Sequence, residues 1–354
     1  MSNNEMRKDY ILNRWIVIAS QRKWRPTDFV RPKEVEKLSI CPFCPGNEHM
    51  TPRAVLVYLQ RDGGIIKEKD REDFRHKNWF VRCIQNLYPA FTPPSHGEVK
   101  INKNEHLKSK EAIGHHEVII ESPRHDEHPS VARVSQLIHV INAYQDRLSS
   151  LYSNNYVKYV SIFRNHGPDA GASLSHAHTQ IIATPIIPRI LREEQKRSRS
   201  FWNENGRCIF CDILKDERRS PRLIWENNSF TVFAPWAGAH PFEFWIFPKR
   251  HQSTLLDMTQ SEVGELAVTL RVCFGALRSL FEDPSYNFGF HMIPSEDYHW
   301  HIEVYPRLTI WAGFEKSTGI FINVVPPEEA ASSLKDAVRE EKSKISSEES
   351  AVHT

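Results

Sequence analysis

The chain of 354 residues carries 46 lysines and arginines against 44 aspartates and glutamates, a formal net charge of +2, and is 40% apolar. So balanced a charge provides no broad field for nucleic acid, and the apolar content suffices to bury a core in each of two ordinary domains. Residues Met1 to Lys8 lack the apolar stretch of a secretory signal and no apolar run approaches a membrane span, so a soluble, cytoplasmic protein with no nucleic-acid or membrane partner is expected.

In chain order, Tyr10 to Ser20 reads as a turn leading into a strand. Arg22 and Arg25 follow on a Pro-containing loop, as a pair able to clamp a phosphate or a base, or as two solvated surface charges. Cys41-Pro42-Phe43-Cys44 is a C-x-x-C knuckle. Gln60 to Asn78 is charged and Gly-containing, an exposed hairpin or loop. Trp79 to Ile84 reads as a buried strand that delivers Gln85 to Ala90 as a loop, and Thr92 to Lys110 is rich in Pro, Gly and Lys, a mobile segment. His116 to Glu121 is a strand ending at Ser122-Pro123-Arg124-His125. Val131, Val134, Leu137, Ile138, Ile141, Tyr144 and Leu148 recur at helical spacing, which predicts an amphipathic helix over Ser130 to Tyr152 with Ser130 as N-cap. Tyr156 to Phe163 is a strand, and Asn165 to Ser173 a Gly-containing loop whose amides can approach an anion closely.

That loop enters Ser175-His176-Ala177-His178-Thr179-Gln180, where polar and apolar residues alternate as in a strand, so that His176, His178 and Gln180 share a face. Imidazole can attack phosphorus near neutral pH and leave again, because its pKa lies close to the working pH. Gln180 can donate a hydrogen bond to a phosphoryl oxygen but cannot supply or remove a proton. A histidine nucleophile beside a non-ionisable neighbour points to phosphoryl or nucleotidyl transfer. The plainer alternative is three polar residues on the wet face of a strand.

The second half repeats the plan. Cys208-Ile209-Phe210-Cys211 answers the first knuckle; Glu243 to His251 answers Glu117 to His125; Thr259 to Phe281 is again an amphipathic helix, opened by a Thr259-Gln260-Ser261-Glu262 capping box; Tyr286 to His291 answers the Tyr156 strand; His299-Trp300-His301-Ile302-Glu303 answers His176 to Gln180. Each half therefore supplies two Cys, a His after a strand and the first His of an H-x-H, the four N and S ligands of a tetrahedral zinc. The expected sets are Cys41, Cys44, His125 and His176, and Cys208, Cys211, His251 and His299, two zinc ions per chain, with iron an alternative at the second. Zinc on His176 would position His178. Glu303 replaces Gln180 in the second copy, which is read as a scaffold and dimer-facing half. Cys83 and Cys273 read as buried small hydrophobes. Glu328 to about Lys342 has helical character, and Ser343 to Thr354 reads as a frayed tail.

The motifs Asn13-Arg14-Trp15-Ile16-Val17, Arg22-Lys23-Trp24-Arg25-Pro26, Cys41-Pro42-Phe43-Cys44, Asn86-Leu87-Tyr88-Pro89-Ala90, Ser122-Pro123-Arg124-His125, Asn165 to Gln180 and Gly313-Phe314-Glu315 fall in an order that resembles the galactose-1-phosphate uridylyltransferase family of the histidine-triad superfamily. The resemblance implies an α/β (α+β) fold of two related histidine-triad-like domains, each a mainly antiparallel sheet with flanking helices. The division placed on it is 1–195 for the catalytic domain, 196–330 for the second and 331–354 for a helical, then disordered, tail. It also implies a homodimer and a ping-pong reaction, in which His178 attacks the α-phosphorus of a nucleotide-sugar, expels sugar 1-phosphate and hands the nucleotidyl group to a sugar 1-phosphate or phosphate. By the same resemblance Gln180 holds a phosphoryl oxygen, Ser173 contacts phosphate, and Arg22, Arg25, Asn86 and Asn165 contact the nucleotide or its phosphates. Uridylyl transfer between UDP-glucose and galactose 1-phosphate is the favoured activity. Thr309 stands where the well-studied bacterial-type members have a Lys near the acceptor phosphate, and the ending Thr318-Gly319-Ile320-Phe321-Ile322-Asn323, with the second C-x-x-C, looks more like the branch that includes plant ADP-glucose phosphorylase. A two-zinc nucleic-acid-binding protein and a dinucleotide hydrolase are the rival classes; the first is disfavoured by the charge balance, the second by Gln180.

Overall fold

The computed structural model describes residues 4–19, 40–94, 102–103, 106 and 108–352; Arg22 and Arg25, and much of the segment from Thr92 to Lys110, lie outside the described residues. The chain opens with β1 (Glu5–Lys8) and β2 (Trp15–Ile18), antiparallel across a turn in which the Asp9 carboxylate accepts the amides of Ile11 and Leu12. The first half continues with β3 (Ala54–Arg61), β4 (Gly64–Glu68), β5 (Trp79–Gln85), the short pair β6 (Asn102–Lys103) and β7 (Lys108–Ser109), β8 (His115–Ile120), α1 (Val134–Tyr152), β9 (Tyr159–His166) and β10 (His178–Thr184). After α2 (Arg189–Asn205) and α3 (Ile209–Glu217), the second half runs β11 (Leu223–Glu226), β12 (Phe230–Phe233), β13 (Phe244–Pro248), α4 (Gln260–Phe281), β14 (Tyr286–His291) and β15 (His301–Pro306). The chain closes with α5 (Gly313–Thr318), β16 (Phe321–Asn323), which joins β2 in parallel, and α6 (Pro327–Val352).

Eleven of the described strands form one sheet, in the order β11-β12-β13-β15-β14-β9-β10-β8-β5-β3-β4. Outward from its centre, the order β14-β15-β13-β12-β11 mirrors β9-β10-β8-β5-β3, which is the sequence repeat made spatial. The two half-sheets meet where β14 pairs antiparallel with β9, Asn287 opposite Asn165, so they are continuous through one ladder. The fold is mixed α+β and sheet-dominated. α1 and α4 pack on one face and against each other, and Leu137, Val140, Ile141, Tyr144, Leu148 and Leu151 of α1 are buried there. Each such side chain contributes about 1.5–3 kcal/mol.

Several boundaries differ from expectation for identifiable reasons. α1 begins at Val134, not Ser130, because the His128 carbonyl gathers the amides of Val131 and Ala132 into a turn while Glu127 takes the amide and guanidinium of Arg133. β9 runs on through Asn165 and His166, since β14 supplies partners for both. α2, across which the 195/196 division falls, has no apolar period: its buried stripe is Leu191, Glu194 and Ser198. α6 continues to Val352, past the expected fraying point. Leu334, Ala337 and Val338 are buried, Ile345 packs against the core, and Glu341 pairs with buried Arg271 of α4 at 2.6 Å. The capping box of α4 forms as read, Thr259 with Glu262.

Candidate active site and metal-ligand clusters

β10 positions the central motif. Thr179 and Ile181 point into the α1-facing core, so His178 and Gln180 project from the opposite face, flanked on β8 by Val118 and Ile120 in register with Gln180 and His178. Phe43, from the first knuckle, covers this face and meets the His178 ring edge-on, centroids 5.6 Å apart. The His178 Nδ1 lies 2.7 Å from the His176 carbonyl. A carbonyl only accepts, so Nδ1 carries the proton and Nε2 the lone pair. Burial holds this ring below the ordinary imidazole range; the bond to His176 opposes that, and the Arg164 charge reinforces it.

Beneath β10 lies a closed polar network that the sequence did not suggest. Arg164 and Glu121, 1% and 2% exposed, form an ion pair, and Arg164 also donates to the His178 carbonyl at 3.2 Å and to His128 Nδ1 at 2.7 Å. Glu121 in addition accepts from Thr179 and from Tyr144, at 3.2 Å for the latter. The strand bearing His178 is thus fastened from behind. On the site face, the Gln180 Oε1 lies 2.8 Å from His116 Nε2, and Asn86, at the end of β5, brings its Nδ2 to 3.1 Å from the same nitrogen. Asn165 accepts from Asn287 at 2.8 Å. Ser173 is exposed in the loop before His176. In that loop Gly167 and Gly171 both hold φ near +79°, and a side chain at Gly167 would stand 2.2 Å from the Ser285 hydroxyl.

Both sets of expected metal ligands come together: the ligand atoms of Cys41, Cys44, His125 and His176 lie within 4.8 Å of one another, as do those of Cys208, Cys211, His251 and His299. In the first set the sulfur-to-Nδ1 separations are 3.4 Å for Cys44 to His125, 3.6 Å for Cys44 to His176 and 3.7 Å for Cys41 to His176. In the second, Cys211 lies 3.3 Å from His251 and 3.4 Å from His299. Bonds of about 2.3 Å to sulfur and 2.0 Å to nitrogen at tetrahedral angles place S and N about 3.5 Å apart, so both groups fit a divalent ion. The tautomers agree: His176 Nε2 donates to the Ser122 carbonyl at 2.8 Å and His251 Nε2 to the Glu296 carbonyl at 2.9 Å, leaving each Nδ1 lone pair for a ligand. Burial, then the neighbouring Cys41, pushes the Cys44 thiol up to about 11. In the second pair, hydrogen bonding from Cys211 drives Cys208 strongly toward thiolate, while Cys211 is driven the other way. Two thiols so close ionise together only with a cation between them.

The second H-x-H is closed off. His301 Nε2 is taken by Glu303 at 3.3 Å, and its ring stacks on Phe247, centroids 4.5 Å apart and 8° from parallel. Buried Glu194, His301 and Glu303 form a further grouping with partly buried His291, one outside the expected ligand sets. Its carboxylates are bound by Tyr298 at 2.6 Å to Glu194 and by Tyr305 to Glu303. The signal for it lay in His291, which ends β14 beside the second motif.

Among the described residues no helix is long and apolar enough to cross a membrane. A family profile described as a domain of unknown function, DUF4921, matches residues 113–351. The chain is 30% identical over 342 residues to ADP-glucose phosphorylase of Arabidopsis thaliana, covering 94% of this chain and 92% of the relative. It is 28% identical over 347 residues to galactose-1-phosphate uridylyltransferase of Thermotoga maritima, covering 94% and 98%. Among solved structures, ADP-glucose phosphorylase from Arabidopsis thaliana with bound ADP-glucose superposes with a TM-score of 0.74 at 28% identity, over 94% of this chain and 98% of that one. A structure of uridylyltransferase gives 0.70 at 28%, over 95% and 98%. The chain, with its DUF4921 domain, therefore belongs to the galactose-1-phosphate uridylyltransferase-like family of nucleotidyltransferases.

Proposed function

We propose that this chain transfers a nucleotidyl group from a nucleotide-sugar to a phosphate-bearing acceptor by way of a covalent bond to His178. The observation that carries the reading is the hydrogen bond from His178 Nδ1 to the His176 carbonyl, which leaves Nε2 as a neutral nucleophile on the face shared with Gln180. In the first half-reaction the Nε2 lone pair forms the bond to the α-phosphorus. The bond from that phosphorus to the bridging oxygen breaks, and the sugar 1-phosphate leaves with the electron pair. The ring becomes cationic, and the His176 carbonyl, already accepting from Nδ1, stabilises the charge without moving a proton. In the second half-reaction an acceptor phosphate oxygen attacks the same phosphorus and Nε2 leaves.

Gln180, Asn86, Asn165 and Ser173, with Arg22 and Arg25, are assigned to the phosphates and nucleotide. Cys41, Cys44, His125 and His176 would hold one zinc, which would fix the chain two residues before the nucleophile, and Cys208, Cys211, His251 and His299 the second. Residues 1–195 carry the chemistry and 196–330 serve as scaffold in a homodimer; paired reduced cysteines suit a cytoplasmic setting.

Uridylyl transfer between UDP-glucose and galactose 1-phosphate is the leading activity. Phosphorolysis of ADP-glucose is a second reading, favoured by the 30% identity to ADP-glucose phosphorylase. Incubation with UDP-glucose or ADP-glucose followed by intact mass measurement distinguishes them: a uridylyl or an adenylyl adduct, acid-labile and absent from His178→Ala, is expected. No adduct with either donor, or an adduct that survives the substitution, would refute the proposal.

A further inference from the structure

His116 sits at the start of β8, one strand over from Gln180, and neither its burial nor its spacing marks it in the sequence. The loop Asn86-Leu87-Tyr88-Pro89-Ala90 is fastened to it twice: the Asn86 amide donates to the His116 carbonyl at 2.8 Å, and the Ala90 amide donates to His116 Nδ1 at 3.1 Å. The second of these settles the tautomer. A ring nitrogen that accepts from a backbone N–H carries no proton, so the proton is on Nε2, and Nε2 must donate. Its acceptor is the Gln180 Oε1 at 2.8 Å. The Asn86 Nδ2, 3.1 Å from the same nitrogen, finds no acceptor there, while the Asn86 Oδ1 is occupied by the Tyr88 amide at 2.8 Å. Both side-chain amides therefore have their carbonyl ends engaged by the protein and their NH2 ends left to donate.

We propose that His116 is a positioning residue which, through its Nε2 proton, holds the Gln180 amide with NH2 toward the transferred phosphoryl group and the carbonyl oxygen away from it. The inference rests on nucleotidyl transfer through His178. Its consequence is twofold. A phosphoryl oxygen meets a fixed donor in place of a repelling carbonyl, and an attacking water is denied the one hydrogen-bond acceptor by which Gln180 could orient it. His116 thereby favours transfer over hydrolysis of the nucleotidyl-histidine.

The test measures, by intact mass in single turnover, the rate of adduct formation and the split of the adduct between sugar 1-phosphate and water. His116→Phe is expected to slow adduct formation about tenfold, the equivalent of one misdirected hydrogen bond, and to raise the fraction lost to water. His116→Gln, which can still donate from the Nε2 position, is expected to recover most of the rate. Because His116 acts through Gln180, the Phe substitution made in a Gln180→Ala background should change the rate less than about twofold, whereas a merely structural role would be additive. Absence of an adduct in the unsubstituted protein would defeat the reading on which this rests. A normal adduct in that protein, together with unchanged rate and partition in His116→Phe, or additive effects with Gln180→Ala, would overturn the role of His116 alone. Should His116→Phe fail to fold, the partition ratio of His116→Gln against that of His116→Leu decides: equal ratios overturn the proposal, and a larger loss to water in the Leu variant supports it.

Discussion

Substituting Arg164 by Met tests the network under the strand that carries His178. Arg164 and Glu121 are both buried, at 1% and 2% exposure, and the guanidinium also reaches His128 Nδ1 and the His178 carbonyl. Methionine fills most of the volume but leaves the Glu121 charge with only the hydroxyls of Thr179 and Tyr144. Breaking a buried pair by removing one partner costs about 3–5 kcal/mol, chiefly because the other charge stays unpaired. Urea unfolding of the metal-loaded protein should therefore show a loss of that size. The double substitution Arg164→Met, Glu121→Leu, which removes both charges, should lose much less than Arg164→Met alone. A loss below about 1 kcal/mol for the single substitution, the value of an exposed pair, would refute the claim that this ion pair supports the strand.

His291, 12% exposed, is pushed up to about 9: burial opposes its charge, but Glu194 and Glu303 outweigh it. The folded value exceeds the ordinary 6.5, so the stabilisation is complete below about pH 6.5 and is lost as the pH rises through about 9. At about 1.4 kcal/mol per unit, the protein should lose up to about 3 kcal/mol relative to His291→Gln between pH 6 and pH 10 in urea titrations, and a constant difference would contradict it. Gly167→Ala meets both a left-handed backbone and the Ser285 hydroxyl; a loss of about 1–3 kcal/mol in the same assay is expected, and none would show that the loop shifts freely. Elemental analysis should find about two divalent ions per chain, one of them lost in Cys208→Ser, with a lowered melting temperature and His178 adduct formation retained. Metal-free protein with full adduct formation would refute any role for the first cluster in placing His178.

The grouping of the two knuckles with their histidines, and the shared face of His178 and Gln180, were legible because they follow from residue type and spacing in local motifs, and because the chain states the plan twice. Helix α4 was legible to the residue, since its apolar period and capping box are both short-range. α2 was not, because its buried stripe holds Glu194 and Ser198, whose partners His291, Tyr298 and Asp297 lie about a hundred positions away in the chain. The same reason hid the Glu121 and Arg164 pair, which reads as an acid ending one strand and a base inside another.

Residue order alone carried the two Cys/His groupings, the shared face of His178 and Gln180, and the duplication. The packed fold was needed to show that β9 and β14 fuse the halves into a single sheet, that His301 is closed off by Glu303 and Phe247 while His178 is held through Nδ1, and that His116 faces Gln180. Each of these depends on which strand lies beside which, and strand neighbours are set by burial of the whole apolar surface, a quantity that no local window contains.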